Sequence, residues 1–255
     1  MGIHFKDYFS GHARDYVQYR PPYPPELFSY LATLTTNHRL AWDCATGNGQ
    51  AAVSLTGYYK KVIATDASAE QIEQSPDIDG VVYRCATAEN SLLEDKSVDL
   101  ITVAQALHWF DLSAFVREVK RILVDDGILA VWTYGLMHIN DDIDEQISVL
   151  YSDVLGPYWP IERRMVENSY ADVDLPLVII EPPEFELSLN WDLMQVIGYL
   201  NTWSAVKRYE TDQGASPVEL IVPKLKKLWG DAGRKYQISW PLGVRVWCND
   251  KTKPE

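Results

Sequence analysis

One stretch constrains this chain more than any other: Leu40-Ala41-Trp42-Asp43-Cys44-Ala45-Thr46-Gly47-Asn48-Gly49-Gln50, with an echo at Asp66. A short apolar run ends in an acid, a small-residue loop with two glycines follows, and Gln50 to Leu55 starts a helix. Glycines suit such a loop because a sharply turning backbone that approaches a ligand closely has no room for a Cβ, and glycine takes positive φ freely. The helix that follows points its unpaired N–H groups into the same space. Val62-Ile63-Ala64-Thr65-Asp66 is a second apolar run ending in an acid. A carboxylate at the tip of the second strand of a βαβ unit is placed to receive a ribose diol. Together these features predict a nucleoside-binding half-fold.

Which nucleoside is a separate question. Gly47-x-Gly49-x-x-Ala52 satisfies the looser dinucleotide fingerprint. Asp43 stands where a dinucleotide site usually continues its apolar strand, and an anion there repels a pyrophosphate but suits an ammonium group. Asp43, Gly47, Gly49 and Asp66 in this order resemble the class I S-adenosylmethionine-dependent methyltransferases, of the methyltransferase type 11 kind. The first glycine of their acid-x-Gly-x-Gly-x-Gly motif is Ala45 here.

The following stretches extend the resemblance. Ser68 is placed to cap a helix after Asp66 and Ala67. Gly80 to Cys85 reads as a third strand, and Ala86-Thr87-Ala88-Glu89-Asn90 resembles the family loop that borders adenine, with Thr87 where Asp is usual. Ser97 to Ala104 is nearly all apolar, as a strand buried on both faces should be. It runs into Gln105-Ala106-Leu107-His108-Trp109, which places His108 and Trp109 at a strand tip, where open α/β sheets bind ligands. Asp111 to Leu123 has a helical period, and Ile128 to Thr133 is a fifth strand. The resemblance covers roughly residues 38–135. It implies an α/β fold: a doubly wound, Rossmann-like, seven-stranded and mostly parallel sheet with an antiparallel last strand and a helical, aromatic substrate cover.

The arm before this core carries Phe5, Tyr8, Phe9, Tyr16 and Tyr19 and then Arg20-Pro21-Pro22-Tyr23-Pro24-Pro25. Its prolines predict an extended segment over the mouth of the site. Beyond the core, Pro182-Pro183 interrupts an alternating run, and strands are expected at Lys235 to Trp240 and at Gly243 to Cys248. Tyr16-x-x-x-Arg20-Pro21-x-Tyr23-Pro24, His108-Trp109 and the stretch Tyr199 to Tyr209 resemble a sub-branch related to trans-aconitate methyltransferases, which act on small acids and other small molecules. The expected organisation is an arm and helix at 1–37, a donor-binding core at 38–135, and a remainder at 136–255 with the cover at 136–176 and 190–215. The resemblance implies S-adenosylmethionine as cofactor, held by Asp43, Ala45, Thr46, Gly47, Gly49, Asp66, Ala67, Thr87, Ala88, Glu89 and Gln105. His108 is the candidate base. Tyr16, Arg20, Trp109, Trp203 and Arg208 are candidate substrate contacts, although Trp203 also reads as core packing and Arg208 as a solvated charge.

Charge bears on the acceptor. A formal net charge of −13 opposes a phosphate backbone, where Lys and Arg supply most of the affinity, so a small-molecule partner is expected rather than a nucleic acid. Three scattered cysteines show no metal-ligand spacing and suggest a reducing compartment. With no apolar leader or long apolar run in view, a cytoplasmic chain without a membrane span is expected. Methyl transfer from a sulfonium asks chiefly for alignment, so no metal cluster or nucleophilic triad is needed. Two other readings stay open: a nicotinamide-dependent oxidoreductase, and a catalytically silent methyltransferase fold that serves as a binding partner.

Overall fold

The computed structural model describes residues 19–250, so Tyr16 and the aromatics at 5, 8 and 9 lie outside the described residues. The first half alternates helix and strand: α1 (Pro25–Leu34), β1 (Leu40–Cys44), α2 (Gln50–Leu55), β2 (Lys61–Asp66), α3 (Ala69–Glu73), β3 (Val81–Cys85), β4 (Val98–Ala104), α4 (Leu112–Ile122) and β5 (Leu123–Tyr134). Local chemistry sets the boundaries. Pro25 occupies the first turn of α1, where its missing N–H leaves nothing unpaired. The Ser68 hydroxyl accepts from the Gln71 N–H at 3.3 Å, and the Asp111 carboxylate accepts from the Ala114 N–H at 3.0 Å.

The second half contains α5 (Asp141–Ser148), which widens into a π-helical turn at Val149–Val154, then α6 (Arg163–Glu167), β6 (Val178–Ile180) and β7 (Glu186–Trp191). It ends with α7 (Leu193–Asn201), α8 (Ser204–Gln213), α9 (Val222–Trp229) and β8 (Tyr236–Cys248). The strand order is β3-β2-β1-β4-β5-β8-β6, with β7 also paired to β8. Strands β1 to β5 are parallel, and β8 runs antiparallel to β5, β6 and β7. The order reverses between β1 and β4, which opens a crevice beyond their carboxyl ends.

Alternation along the strands divides the core into layers. Trp42, Ile63, Ile101, Leu129 and Val131 pack with Phe115 and Val119 of α4 on one face. Ala41, Val62, Ala64, Leu100, Ala130 and Trp132 pack with Leu27, Phe28 and Leu31 of α1 and with Ala51, Ala52 and Leu55 of α2 on the other. A third cluster joins α5, α7 and α9 through Ile143, Ile147, Leu193, Val196, Trp203, Leu225, Trp229 and Trp240.

Eight strands are present where seven were expected. Pro182 and Pro183 split the run 177–189 into β6 and β7, because neither proline can donate to a ladder. Conversely, the two strands expected at 235–240 and 243–248 are one. Pro241 sits where β8 changes partner from β7 to β5, so its missing N–H interrupts neither ladder. Among the described residues, no helix is long and apolar enough to cross a membrane, and no group of three or more His, Cys, Asp or Glu could hold a metal ion.

Candidate functional site

The glycine loop between β1 and α2 is built on alternating left-handed residues: Ala45 (φ 55°), Gly47 (φ 57°) and Gly49 (φ 85°). Each glycine answers a different demand. A Cβ on Gly47 would meet nothing within 4 Å, so Gly47 borders open space, whereas a Cβ on Gly49 would collide with the Tyr83 ring reaching over from β3. Ala45 adopts αL despite its Cβ, at a cost of about 1–2 kcal/mol. Ala45→Gly should therefore stabilise the fold by about 0.5–1 kcal/mol after the added freedom of the unfolded chain is subtracted. Chemical denaturation reads this directly, and an unchanged or lower midpoint would mean that Ala45 is unstrained.

Asp43 turns inward. It shares a strand face with Ala41 and is 1 % exposed. Its oxygens accept from the Thr46 hydroxyl at 2.5 Å and the Thr102 hydroxyl at 2.7 Å, and it also receives the backbone N–H of Ala52 in α2. Gly49, the residue at the cap of α2, has no side chain to offer, so Asp43 caps the helix from the strand. Burial raises its pKa to about 6, against the lowering effect of those hydrogen bonds. The carboxylate thus fixes the loop as well as placing charge at its head.

Asp66 holds the loop from the other side. One oxygen accepts from the Gly47 N–H and the other from the Ser68 N–H, both at 2.9 Å. Ala67 follows it, and its carbonyl accepts from the Cys85 thiol at 3.6 Å. In the loop after β3, Thr87 is exposed and Ala88 is buried. Glu89 accepts from the Asp111 N–H at 3.1 Å, while the neighbouring Ser91 donates through its N–H and hydroxyl to Glu118. These bonds tie the loop to α4.

At the tip of β4, Gln105 is left-handed (φ 58°), an unusual state for a residue with a long side chain. Its Oε1 accepts from the Thr133 hydroxyl at 2.6 Å, while its Nε2 is buried without a partner. A buried, unsatisfied amide costs about 1–3 kcal/mol and points to a ligand acceptor. The His108 Nδ1 lies 2.9 Å from the Tyr170 hydroxyl, which also bonds to Thr133. A polar chain therefore runs from His108 through Tyr170 and Thr133 to Gln105. Burial, then the nearby Arg163 guanidinium, lowers the His108 pKa to about 3, so the imidazole is neutral near pH 7. Trp109 packs against it with ring centroids 4.5 Å apart.

The other substrate candidates are distributed along the cover. Arg20 donates to the Tyr134 hydroxyl at 2.9 Å and the Thr202 carbonyl at 3.3 Å, and its guanidinium lies over Tyr199. Trp203 is 4 % exposed and packed among Tyr151, Trp159 and Tyr199, in the interior of the cover. Arg208 donates to the Tyr158 carbonyl at 3.1 Å. Both arginines thus brace the cover. The structure adds residues that sequence reading missed: Tyr83 over the loop, and Arg163 and Tyr170 beside His108.

A family model described as Methyltransferase domain matches residues 42–131. A Dictyostelium discoideum protein that bears a methyltransferase name is 38 % identical over 204 residues, covering 78 % of this chain and 78 % of its own. A Saccharomyces cerevisiae protein named for S-adenosylmethionine-dependent methyl transfer is 24 % identical over 262 residues, covering 88 % and 89 %. A solved structure from Anaeromyxobacter dehalogenans, named for type II methyl transfer, matches with a TM-score of 0.84 at 35 % identity, covering 91 % of this chain and 98 % of that one.

Proposed function

This chain belongs to the methyltransferase domain family, whose members generally use S-adenosylmethionine, and from that premise we propose that it methylates a small carboxylic acid on oxygen. Membership in the family sets the nicotinamide reading aside. The observation that carries the acid reading is the state of His108: partly buried, bonded to Tyr170, under the influence of the Arg163 guanidinium and neutral. A conjugate acid with a pKa about 3 makes a weak base near pH 7. An ionised carboxylate needs no proton removed, whereas an alcohol, phenol or ammonium acceptor does. The likeness of the arm and cover to trans-aconitate-type enzymes points the same way.

The residues present fit S-adenosylmethionine. Gly47 borders open space, the Asp66 carboxylate stands beside it, and Gln105 holds an unpartnered donor at the strand tip. When bound, the cofactor supplies a methyl group already activated on a sulfonium. Asp66 would receive the ribose hydroxyls, Thr87, Ala88 and Glu89 would border the purine, and Asp43 with Thr46 would set negative potential at the loop. Alignment of the two reactants under the cover then supplies the main catalytic effect, which for well-oriented groups reaches about 7–11 kcal/mol.

The test is incorporation of label from a radioactive methyl donor into a panel of small carboxylic acids, phenols and amines. Label in an acid, released by alkali as expected for an ester, supports the reading. Label only in amines, phenols, protein or RNA sinks it, and no label in any of them favours a silent fold. With saturating donor, the rate should be flat across about pH 6.5–8, because His108 does not titrate there. With limiting donor it should fall as pH drops through about 6, where Asp43 gains a proton and the loop loses its anion. Both profiles should survive His108→Asn. An ascending limb near pH 6–7 that vanishes in His108→Asn would assign the imidazole as a base and favour a hydroxyl or amine acceptor.

A further inference from the structure

We propose that Arg163 anchors a carboxylate of the acceptor through its two terminal nitrogens. This inference rests on the small-acid reading and names the residue that selects for it.

Arg163 opens α6, a short helix packed against the turn Leu107–Trp109 that carries His108. Three contacts fix its guanidinium. Its Nε donates to the Tyr151 hydroxyl at 3.0 Å, and its central carbon lies 4.7 Å from the Trp159 ring centroid and 5.6 Å from that of Tyr151. Among the described residues, neither terminal nitrogen has an ion-pair or hydrogen-bond partner in the protein. Nε is engaged while the two NH2 groups remain, which leaves the edge suited to a bidentate carboxylate.

The surroundings are arranged to hold that edge. Tyr151 sits in the π-helical turn Val149–Val154, a departure from α geometry that re-aims side chains and recurs at functional sites. Its hydroxyl donates to Glu167 at 2.6 Å while accepting from Arg163, so both ends of the bond are fixed. Ser169 and Tyr170, just beyond α6, are consecutive non-glycine residues in the left-handed region (φ 54° and 57°). Tyr170 is fully buried, and this backbone delivers its hydroxyl to His108. One segment thereby places a cation and a strained aromatic on the same strand tip, and strain of this kind persists where the surroundings over-determine it.

Arg20 and Arg208 differ in that both spend donors on backbone carbonyls of the cover. Arg20 also stands at the far end of a row of rings, Tyr199, Trp203 and Trp159, from Arg163. Arg163 is therefore the arginine that combines a fixed guanidinium, uncommitted terminal nitrogens and a place beside His108.

The experiment uses the full chain with S-adenosylhomocysteine bound, and succinate, tricarballylate and their amides as probes. Thermal stabilisation is read in that complex, and label transfer is read separately with a radioactive methyl donor in place of S-adenosylhomocysteine. The acids should stabilise the wild type and their amides should not. In Arg163→Gln the concentration for half-maximal stabilisation should rise about tenfold or more, as expected for loss of charge-assisted bonds, with Arg163→Lys in between. S-adenosylhomocysteine affinity should stay within about twofold of wild type in both variants, since no donor contact is removed. Equal stabilisation by acid and amide, no stabilisation of the wild type, or an unchanged response in folded Arg163→Gln overturns the anchor. Arg163-dependent stabilisation without transfer of label keeps the anchor and removes the oxygen-methylation reading instead. If Arg163→Gln does not fold, Arg163→Lys, which keeps the charge but loses the two-pronged geometry, carries the test: an unchanged response there overturns the anchor.

Discussion

Gly47→Val is expected to abolish donor binding in a chain that still folds. Gly47 is left-handed at φ 57°, a region that a β-branched residue enters only as an outlier, and its missing Cβ faces open space. A valine there either moves the loop or stands where the ligand must approach. Its N–H is also the group that Asp66 holds, so a displaced loop disturbs the ribose acid as well. Calorimetric titration with S-adenosylhomocysteine should show affinity reduced by more than about a hundredfold, equivalent to about 2.7 kcal/mol. Circular dichroism must show native structure for the result to count. Tight binding by a folded Gly47→Val would refute the cradle.

Asp66→Ala is expected to weaken S-adenosylhomocysteine by at least about tenfold, since each charge-assisted bond lost is worth about 1.5–3 kcal/mol before non-additivity. The two backbone bonds at Gly47 and Ser68 add a second effect. Without them the loop and the start of α3 lose their common anchor, so the ligand-free protein should also melt earlier. Asp66→Asn keeps one acceptor oxygen and should fall between. An unchanged Kd would remove Asp66 from the site, and a lower melting point with an unchanged Kd would make the carboxylate purely a loop support.

The parts of this site legible in the sequence are those with local signatures. Strand runs ending in acids, a glycine loop and a helical period after Asp111 all follow from neighbours in the chain. Asp43 was readable in identity but not in orientation. Strand parity carried the missing signal, because Asp43 shares a face with Ala41 and therefore looks toward the start of α2. Arg163 and Tyr170 had no such signal. They lie in an aperiodic segment, and the His108–Tyr170 bond joins positions 62 residues apart. Tyr83 was hidden in the same way, since its contact with Gly49 joins the middle of β3 to the loop after β1 rather than lying within one motif. The Pro182-Pro183 break interrupts the ladder as expected, whereas the gap expected between residues 240 and 243 is bridged by a continuous β8 through Pro241. A proline terminates a strand only if the ladder needs its N–H, and that depends on which partners lie alongside.

The continuity of β8 through Pro241 has a mechanical consequence. Residues 236–241 pair with β7 beneath the cover, and residues 242–248 pair with β5 and β6 in the main sheet. A single covalent ribbon thus carries hydrogen bonds of both layers, so the base of the cover cannot hinge away without tearing the central ladder. Amide exchange in β7 and in the β5-paired half of β8 should report one cooperative opening.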